Sequence, residues 1–363
     1  MATLLGDTNL FGTIAGSSNR EDLIDLITLT DPYEHPFITM VNKGTASLTN
    51  HEWLTEGLTD GATATATGGT ELGVTYAEGA AFSAAGLNNR TRLANLCEIF
   101  RKDVQVSNTQ RAVRPAGVQD EYLHQVQVGL KELGRDIEIT LFQGAAASAV
   151  GSSGVLRTMK PLQTWLSTNS FSVTSTAIGA TGVGFSGTSW SIGEVAFNGC
   201  LERAYRQGGR VDTVFVNGAS KRMISRFGVG TGPVSLGSAA PPSITQRSIS
   251  ASARTLVSSV DVYESDFGRV NIVLDRWVGQ VSGGQGMDTV QPNNKAFFLQ
   301  MDAWELAFLR PLKHVPLPPG GDAVRGMILT ELTLVSYNEK WSSLLSGIGT
   351  IVGGITADGT IGA

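Results

Sequence analysis

The stretch from Val118 to Phe142, VQDEYLHQVQVGLKELGRDIEITLF, constrains this chain most. Leu123, Val126, Leu130, Leu133, Ile137 and Leu141 recur at spacings of three and four residues, which places them on one face of a helix. Glu121, Lys131, Glu132, Arg135, Asp136 and Glu138 are assigned to the outer face, with opposite signs three residues apart at Glu132/Arg135 and Arg135/Glu138. At the α-helical rise such an element spans roughly 37 Å. Arg114 and Pro115 precede it and Gly144 follows as a stop. A helix of this length, half apolar and half charged, suits a beam on which other elements are mounted.

A chain of 363 residues accommodates two or three domains or one elaborate one. Lys and Arg number 27 against 32 Asp and Glu, so the totals advertise no basic surface for nucleic acid. Only 16% of residues are charged, which points to a large surface facing other protein. Cys97 and Cys200 are too few for a disulfide framework and read as buried thiols. No charged segment followed by an apolar run opens the chain, so synthesis and use in a reducing cytoplasm are expected.

Before the long helix, residues 1–16 read as an arm. Ser18 and Glu21 have capping-box spacing for a short helix near Asn19, and Pro36 opens a second helical turn. From Asn50 the pattern alternates, with His51, Trp53 and Thr55 on one side and Glu52, Leu54 and Glu56 on the other. Residues 61–73 hold small, uncharged side chains apart from Glu71 and read as a mobile tip. Arg92 to Val106 is extended again, and the two stretches predict a long two-stranded arm. Fifteen extended residues reach roughly 50 Å. An isolated hairpin of that length is unstable in water, so it needs a neighbour to lie on.

After the helix, residues 145–154 read as a linker and Leu162 to Leu166 as an amphipathic piece. Ser191 and Glu194 open a helix through Tyr205 that Gly208-Gly209 closes. A strand at Asp212–Asn217, a short helix at Ala219–Phe227 and a hairpin over Val260–Leu274 turning near Asp266–Gly268 follow. Strands at Ala296–Gln300, Trp304–Leu309 and Met327–Tyr337 finish the folded part, and the whole reads as α+β. From Ser342 the chain reads as a tail that packs on a neighbour or stays mobile, its apolar run being too short to span a membrane.

Catalytic signatures fail on context. Gly182, Gly184 and Gly187 match the dinucleotide pattern by letter, but their Ser/Thr/Gly-rich flanks read as a flexible loop. His35, His51, His124 and His314 have no metal spacing, and no nucleophile elbow is present. Asp261, Glu264, Asp266 and Asp275 could supply a glycosidase pair, yet on hairpin faces and a turn they read as solvated acids. Lys221, Arg222 and Arg226 cluster on a short helix, where a solvated face or a contact with another subunit is favoured over a phosphate site. The six Trp are spread out and form no stacking platform. No catalytic residue, metal ligand or cofactor is nominated.

The order of parts and eight segments carry a resemblance. Asn19-Arg-Glu-Asp-Leu, His51-Glu-Trp, Arg90-Thr-Arg-Leu-Ala-Asn, Lys131 to Glu138, Lys221 to Ser225, Val260 to Gly268, Leu306-Ala-Phe-Leu-Arg-Pro311 and Glu331 to Ser336 resemble the signature segments of the SU-ten-type major head protein family. The likeness runs from about Asn19 to Trp341. It implies the Hong Kong 97-type phage capsid fold, divided as an N-arm (1–45), an E-loop hairpin with flanking strands (46–112), the spine helix and linker of the P-domain (113–187), an A-domain (188–294), closing strands (295–341) and a C-terminal tail (342–363). The implied function is a major capsid protein forming hexamers and pentamers of an icosahedral shell around double-stranded DNA, assembled in a bacterial cytoplasm and residing in the virion. Implied partners are sister copies, a portal protein, a separate scaffolding protein and a decoration protein, with no membrane. Inter-subunit contacts are expected at Trp53, Leu54, Leu58, Leu96, Ile99 and Arg101 on the hairpin and at Lys221, Arg222 and Arg226.

Two departures qualify the likeness. The founding member of the fold cross-links through an E-loop lysine, whereas no Lys lies between Thr45 and Arg101 here, so non-covalent contacts are expected to hold the shell. Fewer than 20 residues precede the first expected helix and Met1 opens the chain, which favours a separate scaffold over a cleaved segment. The rival readings are a tail-tube or decoration protein, expected to be strand-dominated, and an α+β hydrolase using Asp261 or Asp266.

Overall fold

The computed structural model describes residues 32–58, 90–113, 117–144, 147–172, 194–225, 260–278 and 294–348, together with Glu78. The elements in chain order begin with α1 (Pro36–Met40), β1 (Asn42–Thr45), β2 (Asn50–Thr55), β3 (Thr91–Leu96), β4 (Glu98–Ser107), α2 (Asn108–Ala112) and the long α3 (Glu121–Gln143). There follow α4 (Leu162–Trp165), β5 (Ser170–Ser172), α5 (Glu194–Arg206), β6 (Thr213–Val216), α6 (Gly218–Ile224), β7 (Val262–Ser265) and β8 (Gly268–Leu274). Four strands close the order: β9 (Asn294–Leu299), β10 (Trp304–Leu317), β11 (Ala323–Ser336) and β12 (Ser343–Ile348). The expected helix near Asn19, the tip at 61–73, the glycines at 182–187 and Arg226 lie outside the described residues.

Helix α3 starts where Asp120 caps it, accepting from Tyr122 N–H at 2.9 Å and Leu123 N–H at 3.4 Å. It lies across β4 and β11. At the crossing, a Cβ on Gly129 would stand 3.0 Å from Ile328 Cδ1, so the glycine permits the close approach. Leu133, Ile137, Leu141 and Phe142 are buried, but Leu123 and Leu130 are exposed, because in the first turns the helix rests on the sheet through Tyr122, Val126 and Gly129 and these two leucines flank that contact. Two outer-face assignments are corrected. Glu138 is fully buried, and Glu132 bonds Lys102 on β4 while Arg135 bonds Asp136.

Strands β1, β10, β11 and β4 form one sheet in that order, β1 parallel to β10 and the rest antiparallel. This corrects the free arm predicted from Arg92 to Val106. At Cys97 the chain leaves the small β2–β3 sheet and enters β4, which pairs with β11 from Glu98↔Leu332 to Ser107↔Ala323. The reason is visible in the alternation: Phe100 and Val104 join α3 and Ile328 in the core of the same subunit, and Val106 on the same face is buried too. Strand β10 also runs past Leu309 to Leu317, taking Pro311 in a stretch where its register with β11 shifts.

The second sheet has the order β5-β12-β9-β6-β8-β7. Strand β6, Thr-Val-Phe-Val, is buried on both faces. Phe215 points into the aromatic cluster at the end of α3, while Val214 and Val216 face α5 and α6. The residues expected as a tail from Ser342 include β12, which sits between β5 and β9 with Leu344, Leu345 and Ile348 buried. A short glycine-bearing apolar run reads like a tail in sequence, but tertiary pairing makes it an interior strand. Helix α5 ends as predicted, with Gly208 at φ 85° and Gly209 N–H bonded to Ala204 O.

Candidate functional site

The surfaces able to meet another subunit start at the small hairpin β2–β3, whose register runs from Asn50↔Leu96 to Thr55↔Thr91. Its base is fastened to the body. Trp53 donates from Nε1 to Ser336 O at 2.9 Å, and its ring lies 5.6 Å from that of Trp165. Asn95, buried, donates to Leu334 O at 2.7 Å and accepts from Lys160 N–H at 2.8 Å. Trp53, expected at an inter-subunit contact, is thus engaged by its own subunit, and Leu96, opposite Asn50 at the end of the hairpin, is half-buried.

Above this base the hairpin changes character. Leu54 is 61% exposed and Leu58 97% exposed, while Arg92–Glu52 and Arg90–Glu56 brace the strands at 3.2 and 3.0 Å. Ile99 is half-exposed on β4, and Arg101 pairs with Asp103 on the same outward face. Lys221 bonds Asp261, an ion pair within the subunit, and Arg222 is exposed. The sequence-expected contact residues therefore fall at two separate places, the hairpin with β4 and the α6 helix.

A further surface escaped the sequence reading. The residues taken as a linker fold into a tight turn bridged at Ala149↔Thr158 and Ser152↔Val155, and it exposes Val150, Val155 and Leu156. Gly151 and Gly154 at positive φ make the turn. Its stalk is held by Arg157, which bonds Glu331 and Cys97 O, while Arg310 reaches the same Glu331 at 2.7 Å. The Ala/Gly/Ser-rich start masked this, although the Val150…Val155-Leu156 triplet was a usable signal.

The chemistry of a catalytic site is not assembled by the acids that sequence singled out. Asp261 is tied to Lys221, while Asp275 is buried, which corrects its reading as a solvated acid. Among the described residues no group of three His, Cys, Asp or Glu could hold a metal ion, and no helix is long and apolar enough to cross a membrane. Cys97 and Cys200 are buried free thiols, and burial pushes the Cys97 thiol up to about 11.

With a 23-residue central helix under two sheets and a hairpin projecting from one edge, the layout can be set beside known proteins. A family model described as the SU10 major capsid protein matches residues 7–349. The chain belongs to this family. A curated relative, the major capsid protein of Escherichia phage Phieco32, is 25% identical over 148 residues, 40% of this chain and 39% of that protein. The aligned region thus spans about two fifths of that relative's length. Among solved structures, the capsid of a native GTA particle superposes with a TM-score of 0.57 at 9% identity, covering 93% of this chain and 99% of that one. The capsid of Myoviridae phage XM1 gives 0.54 at 12% identity, covering 90% and 96%. At such identities the likeness establishes the fold, the Hong Kong 97-type capsid fold, and the family establishes a structural capsid protein.

Proposed function

We propose that this capsid protein forms hexamers and pentamers of an icosahedral head that encloses double-stranded DNA without reading its sequence. Assembly in a bacterial cytoplasm with a portal protein and a separate scaffold, and a decoration protein on the finished shell, complete the reading. The observation that carries it is a hairpin whose root is bolted down by Trp53 and Asn95 while Leu54 and Leu58 stand in water. Apolar side chains held out on a braced strand pair gain roughly 25 cal/mol per Å² when a sister subunit covers them. Many such modest contacts per subunit add up to a strong closed shell. The net charge of −5 suits a container, since a strongly basic inner wall would bind phosphates and hinder threading of the genome.

The test is a double substitution, Leu54→Asp with Leu58→Asp, examined by negative-stain imaging beside the wild-type chain, each expressed with its scaffold. Both positions are exposed, so the subunit should keep its melting temperature while closed particles are lost or fall at least tenfold in yield. Normal particles from the double variant would remove these residues from the interface. A wild-type chain that stays a monomer with its scaffold would sink the whole reading.

The lysine-free stretch between Thr45 and Arg101 gives a second expectation. Shells boiled in detergent should run as single chains on a denaturing gel, and a ladder of covalent multimers would contradict it.

A further inference from the structure

Two carboxyl groups meet in the interior where three separated segments join. Glu138, on the last turns of α3, accepts from Phe37 N–H at 2.6 Å through Oε1 and from Ile38 N–H at 3.0 Å through Oε2. Asp275, just past β8, accepts from Trp277 N–H at 2.8 Å through Oδ1 and donates its own N–H to Val216 O at 2.9 Å. The remaining oxygen, Asp275 Oδ2, is buried without a donor from any other residue, and the side chain faces Glu138. Both residues are at most 1% exposed. Trp277 closes the joint, donating from Nε1 to Glu34 O at 2.6 Å and accepting from Gln143 Nε2 at 2.5 Å.

The surrounding charges do not neutralise the pair. On the N-terminal segment, Glu34 bonds Arg276 at 3.3 Å and His35 Nδ1 lies 3.0 Å from Tyr33 O. On α3, Arg135 bonds Asp136 and lies over the Trp277 ring, and Lys131 lies over Tyr33. Strand β6 has no titratable residue, and Lys295 on β9 bonds Gln163. Two ionised carboxylates facing each other here would repel in a poorly solvated site. One proton between them converts that repulsion into a hydrogen bond and satisfies Asp275 Oδ2.

We propose that Glu138 and Asp275 share one proton and form a latch that fastens residues 34–38 to α3 and to the end of β8, closed by protonation and loosened as the proton leaves. This goes beyond shell formation and does not depend on it, since every group named belongs to one subunit. When the segment departs, both carboxyls reach water and ionise, so opening releases a proton at neutral pH. Burial first, then the charge of Asp275, pushes Glu138 up from 4.5 to about 9, and burial raises Asp275 as well. The sign follows from linkage. A carboxyl raised in the closed state contributes most below pH 4.5 and loses that contribution as pH climbs towards about 9, by up to roughly tenfold in the opening constant per pH unit.

Asp275→Asn tests it, because an asparagine can still accept from Trp277 N–H through its oxygen while its amide donates to Glu138 without a proton. Hydrogen exchange at the Phe37 and Ile38 amides, corrected for intrinsic rates, is to be measured in unassembled full-length subunits between about pH 5 and 9. Protection in the wild type should fall by at least tenfold across that range and stay flat in the variant. Parallel profiles would overturn the latch. Should the variant fail to fold, an infrared spectrum of the wild type decides the matter: a carbonyl stretch of a protonated carboxylic acid at pH 7 is expected, and its absence ends the proposal. Because the subunits are unassembled, a failure here leaves the shell reading intact, and a failure to form shells leaves the latch intact.

Discussion

Phe142→Ala is expected to cost the subunit about 3–5 kcal/mol of folding stability, the range for deleting a fully buried aromatic ring. Phe142 is 0% exposed, and its ring centroid lies 5.3 Å from that of Phe37, 5.8 Å from Phe215 and 5.0 Å from Phe297. Those three rings come from α1, β6 and β9, so one side chain joins α3 to the N-terminal segment and to the six-stranded sheet. Truncation removes the ring's transfer free energy and leaves a cavity that three separately anchored elements cannot close together. Phe142→Leu fills part of that space and should cost roughly half as much, by the same transfer-and-cavity argument. Leu123→Ala, on the same helix but 57% exposed, serves as the control and should change stability by no more than about 0.5 kcal/mol. Urea denaturation of unassembled subunits measures all three. A Phe142→Ala cost below about 1 kcal/mol would mean that the joint is softer than its packing indicates.

The spacing of Leu133, Ile137 and Leu141 names the buried face of α3 correctly, because period and burial agree wherever a sheet lies underneath. The same spacing includes Leu123 and Leu130, which remain exposed, because a run of leucines does not show that Tyr122, Val126 and Gly129 take the sheet contact in the first turns. The charge of Glu138 alone predicts an outward side chain. Its true place depends on Phe37 and Ile38, a hundred residues earlier, and no local pattern encodes that meeting. The β4 strand was equally legible as a strand but not as a partner of β11, since alternation fixes which residues share a face and leaves the neighbour open. Of the candidate contacts, Leu54 and Leu58 could be recognised as apolar residues without a core to enter. Trp53 carried the same signal and proved to be the bolt, because its indole N–H has a carbonyl waiting in β11.

Glu331→Ala should be the second most damaging single change, at about 3–5 kcal/mol, the range for removing one partner of a buried ion pair. Glu331 sits on β11 with its side chain 5% exposed, between Arg157 from the 149–158 turn and Arg310 from β10. Deleting its carboxylate leaves two guanidinium groups without their counter-charge. They do not suffer equally. Arg310, 43% exposed, can turn to water, whereas Arg157 is only 20% exposed and its Nε remains bound to Cys97 O. Most of the cost therefore falls on Arg157, and the turn that it holds should loosen before the sheet does. Adding Arg157→Met to Glu331→Ala removes the stranded cation, so the double variant should recover at least 1 kcal/mol relative to Glu331→Ala alone, as expected when an apolar replacement relieves an unpaired buried charge. Urea midpoints of the two variants measure this recovery, and proteolysis near Leu156 reports the turn separately. If the double variant is no more stable than the single, the loss lies in β11 packing and the ion triad is not what secures the turn.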